Sequence, residues 1–120
     1  MSNLADKNCV ENDKKVEGGD IAHYMAQLNN EWELIDQAFI RRIFFISDYK
    51  KALNFVKEVG KIADIQEHHP EIFFTFGFVN IAVSSNGNGV YMNDFVLAAK
   101  IDRCFNQESF KGTSGAVEHQ

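Results

Sequence analysis

The tightest constraint in this chain is one long amphipathic run that stops at its only proline, Pro70. Ser47 or Asp48 can cap a helix. Beyond them Ala52, Phe55, Val56, Val59, Ile62 and Ala63 recur by threes and fours, and Lys50, Lys51, Lys57, Glu58 and Lys61 fall mostly outside that stripe. A proline disfavours the α conformation at the residue before it, so the helix has to end near Glu67. Everything else must be arranged around this one rod.

Strand patterns flank the rod on both sides. Ahead of it, Trp32 and Leu34 alternate with Glu31, Glu33 and Ile35, Asp36-Gln37 offers a tight turn, and residues 38–46 are β-branched and aromatic, with Phe39, Ile43 and Phe45 sharing a side with Arg41. Behind it, "IFFTF" and "FVNIAVSS" read as two strands joined at Gly77, with Val79, Ile81 and Val83 on one face and Phe78, Asn80 and Ala82 on the other. "NGNG" over 86–89 is the strongest turn signal. Two shorter helices close the pattern. Asp20 caps the first, whose face is Ile21, Tyr24, Met25 and Leu28; Asn93 or Asp94 caps the last, whose face is Phe95, Leu97, Ala98, Ile101 and Phe105. The order α-β-β-α-β-β-α predicts an α+β fold, a four-stranded antiparallel sheet with three helices packed on one face.

The length of 120 residues fits a single domain. Polar stretches bound it. Residues 1–19 read as a flexible N-terminal extension, residues 20–110 as the folded domain and residues 111–120 as a flexible C-terminal tail. The net charge of −5 argues against a nucleic-acid partner. No run approaches a membrane span, and the N-terminus has no apolar core of the signal-peptide kind. Cys9 and Cys104 form no CxxC pair and read as free thiols, so a cytoplasmic location is expected.

The chemistry concentrates at the helix stop. His68 and His69 stand side by side at a helix-to-strand junction, where neighbouring side chains diverge. Histidine exchanges a proton near neutral pH. Asp64, one turn before His68, could hydrogen-bond its imidazole and fix its tautomer; Glu67 and Glu71 are alternatives. A histidine pair without chemistry remains open at this point. A metal is not expected, because adjacent histidines chelate poorly and no HxxxH, HExxH or cysteine cluster completes a ligand set. A nucleophile elbow and a phosphate loop are missing from the sequence. His23 and His119 read as a surface and a tail residue, Phe73, Phe74, Phe76 and Phe78 as packing residues, and Arg41 and Arg42 as solvent-side or interface residues.

Asp64, His68, His69, Pro70 and Phe76 match in place the signature of the pterin-4a-carbinolamine dehydratase (4a-hydroxytetrahydrobiopterin dehydratase) family. "NDFVLAAKID" over 93–102 resembles that family's last helix, and Trp32 with "RRIFFISDYKKALNFVKEVGKIA" resembles its second strand and long helix. The resemblance covers about residues 21–105. The chain departs from the pattern at one point. The family's spacing from Phe76 lands on Asn86, where His or Trp is usual; counting back from Asp94 lands on Ser85 instead, and strand register favours Asn86.

The resemblance implies an α+β saddle, a homodimer or homotetramer, and dehydration of a 4a-hydroxytetrahydropterin to quinonoid dihydropterin in tetrahydrobiopterin recycling, with no cofactor and no metal. It implies His68 as the proton-transfer residue, His69 as an orienting or assisting residue, Asn86 as a hydrogen-bonding partner for the 4a-hydroxyl, and Asp64 as the residue that positions His68. Asp64 itself, with Glu67, Pro70, Ser84, Ser85 and Gly87, would line the pterin site. Some animal members also bind a homeodomain transcription factor, a role that this acidic sequence does not support. Since Asn86 cannot give a proton near neutral pH, a dehydratase of reduced efficiency is expected; the alternative is a pterin-binding or protein-interaction module on the same fold.

Overall fold

The structure, a computed structural model, describes residues 3–107. Its elements in chain order are a 3-10 turn at Leu4–Asp6, β1 (Lys15–Val16), α1 (Gly19–Met25), β2 (Glu33–Ile35), β3 (Phe39–Ile46), α2 (Tyr49–Gln66), β4 (Glu71–Thr75), β5 (Gly77–Val83), β6 (Val90–Tyr91) and α3 (Met92–Gln107). The predicted α-β-β-α-β-β-α order is present as α1-β2-β3-α2-β4-β5-α3. The main sheet is antiparallel throughout, in the order β2-β3-β5-β4.

Local chemistry explains most of these elements. Asp48 caps α2 by accepting from the Lys51 amide at 3.1 Å. Asp36 and Gln37 both take positive φ, and the Ala38 amide closes on the Ile35 carbonyl at 2.9 Å, so β2 and β3 are joined by a tight primed turn. Gly77 supplies the φ of +102° that the turn between β4 and β5 requires. The helix starts differ from expectation. α1 begins at Gly19 behind Gly18, which makes no side-chain cap, so Asp20 lies inside the first turn. α3 begins at Met92, which puts Asp94 in its first turn rather than ahead of it.

One face of the sheet makes the core. Ile40, Phe44 and Ile46 of β3 and Val79, Ile81 and Val83 of β5 meet Phe55 and Val59 of α2 and Phe95, Leu97 and Ile101 of α3, all essentially fully buried. Phe44, Phe55 and Phe105 form a ring triangle with centroids 4.8, 5.0 and 5.4 Å apart. The other face stays open, with Phe45 and Phe73 exposed.

Arg42 is on the core side, not the solvent side. The strand alternation that buries Ile40 and Phe44 carries Arg42 inward with them. Its guanidinium lies 4.1 Å from the Phe44 ring centroid and donates to Asp102 Oδ1 at 2.7 Å. Asp102 also accepts from Trp32 Nε1 at 2.8 Å and from the Asn29 amide at 3.0 Å. A buried ion pair is tolerated when its spare lone pairs are filled in this way.

The N-terminal segment is packed where the sequence suggested a loose extension. Leu4, Ala5 and Val16 are buried. β1 pairs with β6 in a small second sheet, Lys15 opposite Tyr91 and Val16 opposite Val90. Lys100 and Arg103 both donate to the Ala5 carbonyl, at 2.8 and 2.6 Å. Burial of Leu4, Ala5 and Val16 acts together with backbone pairing and helix-borne cations to dock this stretch, and its apolar residues are too scattered to show a helical or strand period. The predicted C-terminal tail, 111–120, and the last residues of the predicted domain lie outside the described residues.

Two predictions follow from this packing. Asp102→Ala leaves Arg42 buried without its partner, so equilibrium urea unfolding should show a loss of about 3–5 kcal/mol, whereas breaking the exposed Arg41–Glu33 pair with Glu33→Ala should cost only ~0–1 kcal/mol. Burial, with Asp13 nearby, pushes the Cys9 thiol from 9.0 up to about 11. The raised value disfavours thiolate at neutral pH, so at pH 8 iodoacetamide should modify folded Cys9 roughly 100-fold more slowly than a cysteine in an unfolded peptide.

Candidate active site

The end of α2 sets the direction of the histidine pair. Glu67 takes the left-handed conformation at φ 55°, and the His68 amide returns to the Ala63 carbonyl at 3.1 Å, closing the last turn. Pro70 prevents continuation. The sharp turn separates the two rings. The His68 side chain is 14% exposed, and that of His69 is 66% exposed.

The start of α3 supplies the partner. Asp94 is fully buried. Its Oδ2 accepts from the Tyr91 amide at 2.8 Å, which satisfies a backbone donor at the helix start. Its Oδ1 accepts from Ser85 Oγ at 2.8 Å and meets His68 Nε2 at 2.7 Å. An ionised carboxylate is acceptor-only, and all three partners can donate to it. The pattern assigns the hydrogen of the neutral ring to Nε2 and leaves Nδ1 as the nitrogen available to a bound molecule.

Asp64 does not orient His68. It lies 3.4 Å from His69 Nε2, with both side chains largely in solvent, because the left-handed turn at Glu67 takes His68 away from the helix face that carries Asp64. Such an exposed contact is screened and weak. The carboxylate on His68 is Asp94, whose place in the last helix was readable but whose partner, far back in the chain, was not.

The loop 84–89 approaches through Ser85. Asn86 is exposed and held within its own loop: Nδ2 donates to Tyr91 Oη at 3.2 Å, and Oδ1 accepts from the Asn88 amide at 2.9 Å. Ser84, Gly87 and Glu67 are exposed, and Pro70 is half-buried. The structure therefore brings His68, Ser85 and Asp94 together, with Asn86 one residue away along the loop. Two residues without a sequence signal for this place join the site, Tyr91 and Asp13. The Tyr91 amide meets Asp94 and its hydroxyl meets Asn86. Asp13 accepts from the Asn93 amide at 3.0 Å. Burial pushes its carboxyl above the usual range, the Asn93 amide opposes that, and the charges of Asp94 and His68 reach it as well.

Among the described residues no group of three His, Cys, Asp or Glu side chains is arranged to hold a metal ion. A hollow of about 260 Å³ between α2 and α3 takes in Gln66, Lys100 and Cys104 but neither His68 nor His69.

Known proteins bear on this site. Residues 14–104 match the profile of the pterin 4 alpha carbinolamine dehydratase family. A protein of Rubrobacter xylanophilus, provisionally named a pterin-4-alpha-carbinolamine dehydratase, is 39% identical over 107 residues, covering 86% of this chain and 99% of its own. One from Alkaliphilus metalliredigens with the same provisional name is 32% identical over 107 residues, covering 86% and 96%. A crystal structure from Brucella melitensis, described as a transcriptional coactivator/pterin dehydratase, superposes with a TM-score of 0.70 at 24% identity over 76% of this chain and 98% of that one, which speaks for the fold. Fold, histidine junction and sequence relatives agree: the chain belongs to the pterin 4 alpha carbinolamine dehydratase family.

Proposed function

We propose that the protein dehydrates a 4a-hydroxytetrahydropterin to quinonoid dihydropterin, with His68 moving the protons and Asp94 holding its ring. The observation that carries this reading is the 2.7 Å bond between His68 Nε2 and the buried Asp94. Family membership supports the substrate class.

The reaction is a net loss of water. The C4a–O bond breaks, the hydroxyl leaves with an added proton, the N5 hydrogen departs as a proton, and C4a=N5 forms. Nothing is oxidised or reduced. One group must give a proton and one must take it, and a histidine with a free Nδ1 can do either in turn. Positive charge gained by the His68 ring is offset by the Asp94 carboxylate behind it. His69, on the open side, is placed to orient the pterin or assist, and Asp64 is its neighbour rather than a support for His68. The remaining pterin contacts are assigned to Glu67, Pro70, Ser84, Ser85 and Gly87.

A catalytically weakened pterin-binding module is the second reading, and one observation favours it. The polar atoms of Asn86 are already occupied by Tyr91 and Asn88. By the family pattern this position would hold His or Trp, so His68 would handle both protons with less help. Our proposal otherwise keeps a homodimer or homotetramer acting in the cytoplasm in tetrahydrobiopterin recycling. Among the described residues no helix is long and apolar enough to cross a membrane.

Stopped-flow dehydration of a 4a-hydroxytetrahydropterin tests the reading. His68→Ala should lower kcat by ~10²–10⁴-fold with the fold intact. His69→Ala should act mainly on KM. Asn86→His should raise kcat. Wild-type protein that neither speeds dehydration nor binds a dihydropterin analogue would remove the enzyme reading.

A further inference from the structure

The residues that form the pair sit at two helix ends, and helix ends are where backbone order is weakest. One continuous segment of the N-terminal region ties both ends down. The Cys9 amide donates to Gln66 Oε1 at 2.7 Å, and Gln66 Nε2 donates to Asn8 Oδ1 at 3.1 Å. Gln66 is the last residue of α2, just before the turn that presents His68. At the other helix the Val10 amide donates to Asn93 Oδ1 at 3.0 Å, and Asn93 Nδ2 donates back to the Val10 carbonyl at 2.8 Å. The Asn93 amide then donates to Asp13 Oδ1, and the Met92 amide to the Lys14 carbonyl at 2.9 Å. Asn93 immediately precedes Asp94.

We propose that Gln66 and Asn93 are positioning residues, through which the strap from Asn8 to Lys14 clamps the end of α2 to the start of α3 and so fixes the hydrogen bond between His68 and Asp94. Neither residue touches the reacting atoms. Each gives the strap a bidentate grip with a short, planar amide. Core packing through Ala63 and Phe95 aligns the two helices, and the strap adds directional hydrogen bonds at Gln66 and Asn93, next to the residues that carry the pair. A shift of about 1 Å at such a place is enough to lower a rate by up to ~100-fold.

The turnover part rests on the dehydratase reading; the hydrogen-bond part does not. The test uses the full chain with Gln66→Ala, Asn93→Ala and the double variant, each confirmed folded by urea unfolding. NMR measures exchange of the His68 Nε2 hydrogen with water. In the double variant that exchange should quicken by about tenfold, the effect of losing roughly one hydrogen bond's worth of restraint. In the assay kcat should fall about tenfold with KM nearly unchanged. Gln66→Glu, which keeps an oxygen for the Cys9 amide, should stay close to wild type. In an Asp94→Asn background the double variant should add no further loss of kcat, since the bond to be positioned is already altered. Unchanged exchange in the folded double variant overturns the proposal, and so does an equal kcat loss in both backgrounds. If the double variant fails to fold, the single variants read the same exchange. Faster exchange in a protein without turnover supports the clamp and counts against the dehydratase reading alone.

Discussion

Asp94 is the constraint on which the site depends. A carboxylate removed from water must have its lone pairs filled, or its burial is too costly. Here three donors fill them, and each comes from a different place: the end of α2, the loop after β5 and the turn into α3. One side chain therefore starts a helix, fixes a loop and orients an imidazole. The same solution recurs further along α3. Asp102 is buried with Arg42, Trp32 and the Asn29 amide around it. The first acid faces a group that can change its charge, and the second faces an arginine that cannot. That difference separates the candidate-site end of the helix from the Arg42 end.

The neighbouring histidines have different surroundings for a backbone reason. Glu67 adopts a conformation that glycine usually occupies at helix ends, and Pro70 prevents the chain from relaxing into more helix. The turn leaves one ring against a buried carboxylate and the other in solvent. In the proposed reaction the buried ring would move protons and the exposed one would hold the ligand.

What was legible in the sequence was local. The spacing of Phe55, Val59 and Ala63 gave α2, Pro70 gave its end, and the alternation of Val79, Ile81 and Val83 gave the core face of β5. The histidine junction was readable because its residues are neighbours in the chain. Contacts between distant residues were not. His68 and Asp94 are 26 positions apart, and Asp64 looked the better partner because helical spacing put it close. Arg42 was misplaced because alternation shows which residues share a face but not which face is buried. The N-terminal strap has no apolar period, since Asn8, Val10, Asp13 and Lys14 dock through backbone groups and polar side chains and the buried Leu4, Ala5 and Val16 are scattered around them.

We have proposed that His68, held by Asp94, works on a pterin. The most direct measurement is an NMR titration of the labelled protein with a dihydropterin analogue, following the His68 and His69 ring signals and the backbone amides. Both rings should shift saturably, together with the amides of Ser85 and Asn86. Saturable shifts confined to the open sheet face around Phe45 and Phe73, with the His68 ring unmoved, would contradict the proposal.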